Sequence, residues 1–217
     1  MNTSSPDSLV LDSLAVHYLN ESPASQSHRS DIWGQTVELV PHTFALVVAP
    51  SGTGKTTLVH CLSGVITPDQ GTISLGGEIL PPPGSPFWSE LRSRKISTAY
   101  QNLNLIPELT GTENLRLAPF LDRDPMAFAD RLGIGKRLHA RVNQLSTGQR
   151  QRLSLCRSLA RPYSLLILDE PFSHLDDRSA ALAAELIEEE AASRAAIVLC
   201  TALSQRCPLS WDQTLHL

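Results

Sequence analysis

Apolar residues in this chain fall into short unbroken runs rather than one long helical stripe. Phe44-Ala45-Leu46-Val47-Val48, Leu165-Leu166-Ile167-Leu168 and the run from Ala195 to Thr201 have strand length and no alternation. A strand apolar at every position is buried on both faces, the habit of a parallel sheet covered by helices. Helix-forming stretches lie between these runs, at Leu58 to Leu62, Gln149 to Ala160 and the Ala- and Glu-rich Arg178 to Arg194. Strand–helix alternation of this kind predicts an α/β domain that binds ligands at the carboxyl ends of its strands.

Shorter patterns fill in the rest. Leu9 to Leu19 alternates and predicts one or two edge strands; Thr36 to Val40 predicts another. Thr67 to Glu78 carries turn residues around an alternating segment, as in a hairpin. Pro81-Pro82-Pro83-Gly84 breaks the chain, Phe87 to Arg94 reads as a short helical turn, and Ile96 to Tyr100 as a strand ending at Gln101. Between Asn102 and Asn143 the pattern predicts short helices at Thr112–Leu117, Pro125–Leu132 and Lys136–Val142, and Asp212 to Leu217 a last strand. Residues 1–8 read as a disordered lead, and Asn20 to Gln35 as an exposed loop.

A length of 217 residues suits one well-buried domain, with room for a small subdomain. The net charge of −4 gives no electrostatic case for a nucleic-acid partner. Cys61, Cys156, Cys200 and Cys207 show no C-x-x-C spacing and read as reduced core residues of a cytosolic protein. No apolar run reaches the length of a membrane span, and the polar start Met1 to Ser8 lacks the apolar core of a signal peptide. Work at a membrane would therefore go through a partner.

The chemistry centres on Ala49-Pro50-Ser51-Gly52-Thr53-Gly54-Lys55-Thr56-Thr57, set between a buried strand and a helix. Such a turn aims backbone N–H groups at one point, at the positive end of a helix dipole, and so cradles phosphates. Lys55 would reach the outer phosphates and Thr56 would ligate Mg²⁺. The pattern departs from G-x-x-x-x-G-K-[ST] only at Ala49, where a glycine eases a tight turn and a methyl group is tolerable. The run from Leu165 carries Asp169 and Glu170 to the end of its strand. There Asp169 can hold Mg²⁺ through water, and Glu170 can polarise the water that attacks the γ-phosphate.

Leu145-Ser146-Thr147-Gly148-Gln149, 24 residues ahead of Asp169, resembles the L-S-G-G-Q signature of ATP-binding cassette (ABC) ATPases, with Thr147 at its third position. The same residues also read as an N-capped helix start. The resemblance runs from about Leu9 to Leu217. It implies a single domain over 1–217 of the P-loop NTPase fold, with a mostly parallel sheet core and an N-terminal antiparallel β subdomain. An α-helical subdomain carrying the signature would be inserted at about residues 102–160.

The family also implies roles for particular residues. Tyr18 would stack on adenine, and Gln101 would serve as the Q-loop glutamine, a ligand of Mg²⁺ and water. Ser146, Gly148 and Gln149 would face the γ-phosphate of a nucleotide bound to a second subunit. That predicts a head-to-tail dimer, homomeric or heteromeric, holding two ATP molecules. Ser173-His174-Leu175-Asp176 resembles the loop that communicates across such a dimer. The run Gln101 to Leu115 resembles the lipoprotein-releasing and macrolide-export ATPases. There Leu103, Leu105, Ile106, Pro107 and Leu109 would line the groove for a transmembrane permease subunit, or simply pack the helical subdomain.

One family landmark is absent. The histidine expected after the strand ending at Thr201 is Ala202, and His174 lies in a different loop. Losing one preorganised contact to developing charge costs on the order of 10²–10³ in rate. The expectation is therefore a transport-coupled ATPase, slow or asymmetric, lying on the inner face of the plasma membrane through its permease. Alternative readings are a soluble non-transport ABC ATPase, a degenerate subunit that binds ATP but scarcely hydrolyses it, and a P-loop phosphotransferase.

Overall fold

The computed structural model describes residues 8–16, 30–118, 120–203 and 207–217. The sequence expectations for residues 1–7 and for Tyr18 lie outside them.

Two sheets divide the strands. β3 (Phe44–Val48), β6 (Ile96–Ala99), β7 (Leu165–Asp169), β8 (Ile197–Ala202) and β9 (Gln213–His216) form one sheet in the order β6-β7-β8-β3-β9, with every pair parallel. β1 (Leu9–Ala15), β2 (Thr36–Leu39), β4 (Gln70–Leu75) and β5 (Glu78–Ile79) form an antiparallel sheet in the order β2-β1-β4-β5. β1 is thus an inner strand, paired on both sides, and not the edge strand its alternation predicts. The period-2 pattern reports one buried face; it does not report how many neighbours a strand has.

The parallel strands feed two cores at once. Leu46, Leu166, Leu168, Val198 and Cys200 point into one cluster with the helices that follow β6 and β7. Ala45, Val47, Leu165, Ile167, Ile197 and Leu199 point into the other, shared with the antiparallel sheet and with α1 (Lys55–Leu62). Successive side chains alternate across a strand, so a continuous apolar run is what two cores demand. Trp88, on α2 (Phe87–Arg94), is 2% exposed and belongs to the second cluster.

Helices between β6 and β7 form the remaining layer. They are α3 (Gly111–Arg116), α4 (Pro125–Arg131), two 3₁₀ turns at Gly135–Arg137 and Val142–Gln144, and α5 (Thr147–Leu159). The helix expected over Lys136–Val142 is therefore replaced by two short turns. Leu138 and Ala140 carbonyls there accept from Thr112 and Gly111 backbone N–H groups, so tertiary pairing takes the place of an intrahelical ladder. α6 (Asp177–Ser193) lies after β7, with Asp176 capping it through Ser179 N–H at 2.8 Å. That bond holds the Asp176 carboxyl below its ordinary range.

The exposed loop expected to reach Gln35 is packed at its end: Ile32 is fully buried, and Asp31 and Gly34 bond to His216 and Leu14. Among the described residues no helix is long and apolar enough to cross a membrane. All four cysteines are free thiols.

Gly64 ends α1, just past its last turn. With φ at +70°, it donates to the Cys61 carbonyl while Val65 donates to that of His60. That pair of bonds makes a Schellman cap. A Cβ there would also collide with the Trp88 indole ring. Gly64→Ala is thus expected to destabilise the fold by about 2 kcal/mol or more, combining left-handed strain with core overpacking. A melting temperature within a degree of wild type would refute this.

Candidate functional site

The order β6-β7-β8-β3 sets the ends of four strands side by side, and the candidate residues sit on those ends. β3 runs into the phosphate loop, β7 delivers Asp169 and Glu170, β8 delivers Thr201 and Ala202, and Gln101 follows β6. In a parallel sheet all carboxyl ends share one edge, so residues 69 positions apart meet there.

Lys55 is the first residue of α1. Gly54 precedes it at φ +104° and Gly52 at φ +83°, conformations that an L side chain resists. Ala49 needs no such freedom. It is not among the residues with positive φ, and its methyl is buried in the second core. Pro50, Ser51, Gly52 and Thr56 are exposed, while Gly54 and Thr57 are buried. Thr53 Oγ1 donates to the Pro50 carbonyl at 2.8 Å and braces the turn. The first N–H groups of α1 have no partners within the helix, which leaves partial positive charge at the mouth of the loop.

Lys55 itself is 6% exposed. Its Nζ donates to the carbonyls of Ala49 at 2.7 Å and Pro50 at 3.0 Å, and lies 3.8 Å from Glu170 Oε1. Burial lowers its pKa, and the carboxylates of Glu170 and Asp169 pull the other way. The result is a desolvated cation facing two acids, with neutral carbonyls as its closest partners.

On the opposite side Gln101 Nε2 donates to Glu170 Oε2 at 3.3 Å. Glu170 is thus held by a cation at one carboxylate oxygen and an amide at the other. Its backbone has φ +50°, in the left-handed region uncommon for such a residue. Its N–H donates to Thr201, both to the carbonyl and to Oγ1, at 3.2 Å each. Asp169 is 2% exposed and accepts from Thr201 Oγ1 at 2.6 Å. Thr201 therefore ties together the two acids, a role sequence reading missed. The available signal was a hydroxyl at the end of the strand beside β7, and it carries weight only once β8 is known to lie there.

Ala202 is partly buried at the end of β8, and its carbonyl accepts from Ala49 N–H at 3.3 Å. It lines a cleft of about 160 Å³ with Glu170, Phe172, Ser173 and Cys207. His174 is exposed, and its Nδ1 is engaged with Ser173 Oγ at 2.9 Å.

The signature residues stand apart from this cluster. Ser146 caps α5: its Oγ accepts from Gln149 N–H at 3.2 Å, while Gln149 Oε1 accepts from Ser146 N–H at 3.0 Å. That is a reciprocal capping box, so the capped-helix reading and the signature reading describe the same geometry. A Cβ at Gly148 would stand 2.8 Å from the His174 carbonyl, which explains why glycine sits there. Among the described residues no hydrogen bond or ion pair joins Ser146, Gly148 or Gln149 to the phosphate loop. The structure gathers Lys55, Gln101, Asp169 and Glu170, and leaves the α5 terminus outside that group.

The segment after Gln101 is held by Asn114, which is fully buried. Its side chain accepts from Ile106 N–H at 2.8 Å and donates to the carbonyls of Ile106 and Thr110 at 3.0 Å each. Leu105 packs on the first core, whereas Ile106 is 42% exposed. The apolar positions of this run thus divide between packing and surface.

A family model described as ABC transporter matches residues 34–173. The lipoprotein-releasing system ATP-binding protein LolD of Pseudomonas fluorescens is 33% identical over 192 residues, 85% of each chain. An uncharacterised ABC transporter ATP-binding protein of Thermotoga maritima is 35% identical over 154 residues, 67% of this chain and 66% of that one. Among solved structures, the dimeric bacterial ABC transporter cassette MJ0796 superimposes with a TM-score of 0.75 at 19% identity, covering 90% of this chain and 88% of its own. A bacterial Atm1-family ABC exporter with ATP bound gives a TM-score of 0.73 at 21% identity, over 90% of this chain and 34% of the exporter. The buried Lys55 in its glycine-flanked turn, the paired acids on the adjoining strand and these likenesses agree: the chain belongs to the ABC transporter family, among its ATP-binding cassettes.

Proposed function

We propose that this chain is the ATP-binding and hydrolysing subunit of an ABC transporter, and that it energises separate membrane-embedded permease subunits through closure and opening of a dimer. The observation that carries the reading is the contact of Lys55 and Gln101 with opposite oxygens of Glu170. A buried cation at a helix N-terminus suits the phosphates of ATP, and a carboxylate beside it suits a general base for water.

The whole chain is one cassette domain in this reading, with the helices between β6 and β7 as its signature subdomain. ATP would occupy the loop from Pro50 to Thr57, with Lys55 exchanging neutral carbonyls for phosphate oxygens. Tyr18 would stack on the base. The donor set fits a hard divalent cation: a threonine hydroxyl at Thr56, a carboxylate at Asp169 and an amide oxygen at Gln101. Mg²⁺ bound there would neutralise phosphate charge. Glu170 would take a proton from the attacking water and is held in place for it by Gln101 and the Thr201 backbone. Ser146, Gly148 and Gln149 would meet the nucleotide of a second ATPase subunit, a copy of this chain or a related one, since within one chain they do not reach the loop.

The relatives named as LolD, lipoprotein-releasing ATP-binding proteins, favour a permease partner and a place on the inner face of the plasma membrane. Affinity purification from detergent-solubilised membranes tests this. Co-purification of a polytopic protein, with ATP turnover by the complex, is expected. Soluble proteins alone, in a preparation that still binds ATP, would move the assignment to a non-transport ABC ATPase.

A second reading, a subunit that binds ATP but hydrolyses it poorly, rests on Ala202. The cleft beside Ala202 borders Glu170 and has room for an imidazole. Ala202→His is therefore expected to raise the ATPase rate of the complex by on the order of ten-fold or more. Unchanged, transporter-like turnover in both proteins would rule out a handicap at this position.

A further inference from the structure

Two of the four thiols stand at the working end of β8. Cys200 is fully buried and precedes Thr201, the residue that joins Asp169 to Glu170. Its Sγ donates to the Thr201 carbonyl at 3.6 Å, the same oxygen that accepts from Glu170 N–H. Cys207 packs against the cluster that contains Cys200, and it lines the cleft of about 160 Å³ with Glu170, Phe172 and Ala202. It is partly exposed there, whereas Cys61, Cys156 and Cys200 are buried.

The side chains of Cys200 and Cys207 share a hydrogen bond. That bond lowers the pKa of Cys207, whereas burial first and the same bond second raise that of Cys200. Burial also pushes the Cys61 thiol up to about 11 and raises that of Cys156. The thiolate is the nucleophilic form of cysteine, so an oxidant reacts first with a thiol that is both exposed and lowered. A second sulfur in contact with it then decides that the product is a disulfide. Cys207 meets the first condition, and Cys200 supplies the second.

We propose that Cys207 and Cys200 are a modification site at which a hydroperoxide forms a reversible disulfide, and that this link slows ATP hydrolysis by disturbing the support of Glu170. The effect on turnover rests on the ATPase reading above; the disulfide itself does not. In the first step the Cys207 sulfur attacks one oxygen of hydrogen peroxide. An S–O bond forms, the O–O bond breaks, and the departing hydroxide takes up a proton to become water. The Cys207 sulfur, oxidised by two electrons as the peroxide is reduced, is then a sulfenic acid. The Cys200 sulfur attacks it next: S–S forms, S–O breaks, and the second hydroxide leaves as water with the Cys200 proton. A reducing dithiol returns the two electrons and restores both thiols. In a reducing compartment such a bond is transient, as sensing disulfides are. It consumes the S–H that bonds the Thr201 carbonyl, and it ties a wall of the cleft to the strand that braces both acids. The carbonyls that hold Lys55 belong to Ala49 and Pro50, outside this link, so nucleotide binding should persist.

The test treats the reduced full chain, with whatever subunits co-purify, with stoichiometric hydrogen peroxide and maps its cysteines by mass spectrometry. ATP binding and turnover are followed before and after dithiothreitol. A peptide linking Cys200 to Cys207, lighter by two hydrogens than the two reduced peptides together, is expected. Turnover should fall by about ten-fold or more, with ATP still bound, and recover on reduction. Cys207→Ser, at a half-buried position where the core is spared, should make turnover indifferent to peroxide when compared with its own reduced rate. Two unmodified thiols, a Cys207 that ends as sulfinic acid, or a Cys207 linked to any other cysteine would overturn the inference. So would a mapped Cys200–Cys207 disulfide that leaves turnover unchanged. A preparation that hydrolyses no ATP even when reduced would sink the ATPase reading and the proposed brake with it, while the mapped link would still decide the modification site.

Discussion

Lys55→Ala is expected to lose ATP binding without losing the fold. Lys55 Nζ makes bonds only to carbonyls of its own loop, one of them on the exposed Pro50, and its long-range partner is Glu170 at 3.8 Å. Removing it leaves the buried Ala49 carbonyl without its Lys55 donor but takes nothing from the two apolar clusters, so the melting temperature should fall modestly while the fold is kept. Nucleotide affinity loses a buried cation opposite phosphate oxygens. Truncating one side of such a charge pair costs about 2–5 kcal/mol, which is roughly 30-fold to several thousand-fold in Kd. Isothermal titration of purified wild type and variant with ATP checks this. Affinity within about three-fold of wild type would remove Lys55 from the nucleotide site, and with it the function proposed for the turn.

Glu170→Gln should give the contrasting phenotype. The amide keeps the size of the side chain and can still pair with Gln101, while the backbone bonds to Thr201 are untouched. The ability to take a proton from water is lost, and general-base catalysis is worth about 10²–10⁴ in rate. The variant also presents one negative charge fewer to ATP, so binding should hold or tighten. ATP-loaded dimer is therefore expected to accumulate, seen as a doubled mass in size-exclusion chromatography with light scattering. Turnover within ten-fold of wild type, or a monomer in saturating ATP, would argue against Glu170 as the base. Together the two variants separate binding from chemistry: one stops before the nucleotide arrives, the other after.

Much of the site was legible because each half is local. The turn Ala49 to Thr57 is contiguous, and the function proposed for it follows from glycines, one lysine and the helix behind it. Asp169 and Glu170 end an apolar run whose length marks it as a strand. Gly64 was readable as a cap because left-handed backbone favours glycine, and the structure adds the Trp88 contact, which no local rule foresees. Less legible were features that need two distant segments. Thr201 joins Asp169 to Glu170 from 31 and 32 residues away. Asn114 organises the loop after Gln101 from inside a short helix, and Arg157 holds the same loop from α5. The interior position of β1 and the paired 3₁₀ turns near Leu138 belong with these, since both depend on which neighbours arrive.

Sequence alone predicted the α/β class, and it marked the glycine-rich turn, the pair of acids and the signature-like helix as the candidate site. Those features are written in periodicity and in residue types a few positions apart, where backbone geometry leaves few choices. Tertiary structure decided that Lys55 and Gln101 grip the two oxygens of one carboxylate, and that the signature residues lie outside that cluster. It also decided that the thiols of Cys200 and Cys207 meet beside that cluster. Strand order and desolvation set these relations. Both are properties of chain segments brought together across the whole fold, and no local pattern encodes the distance between them.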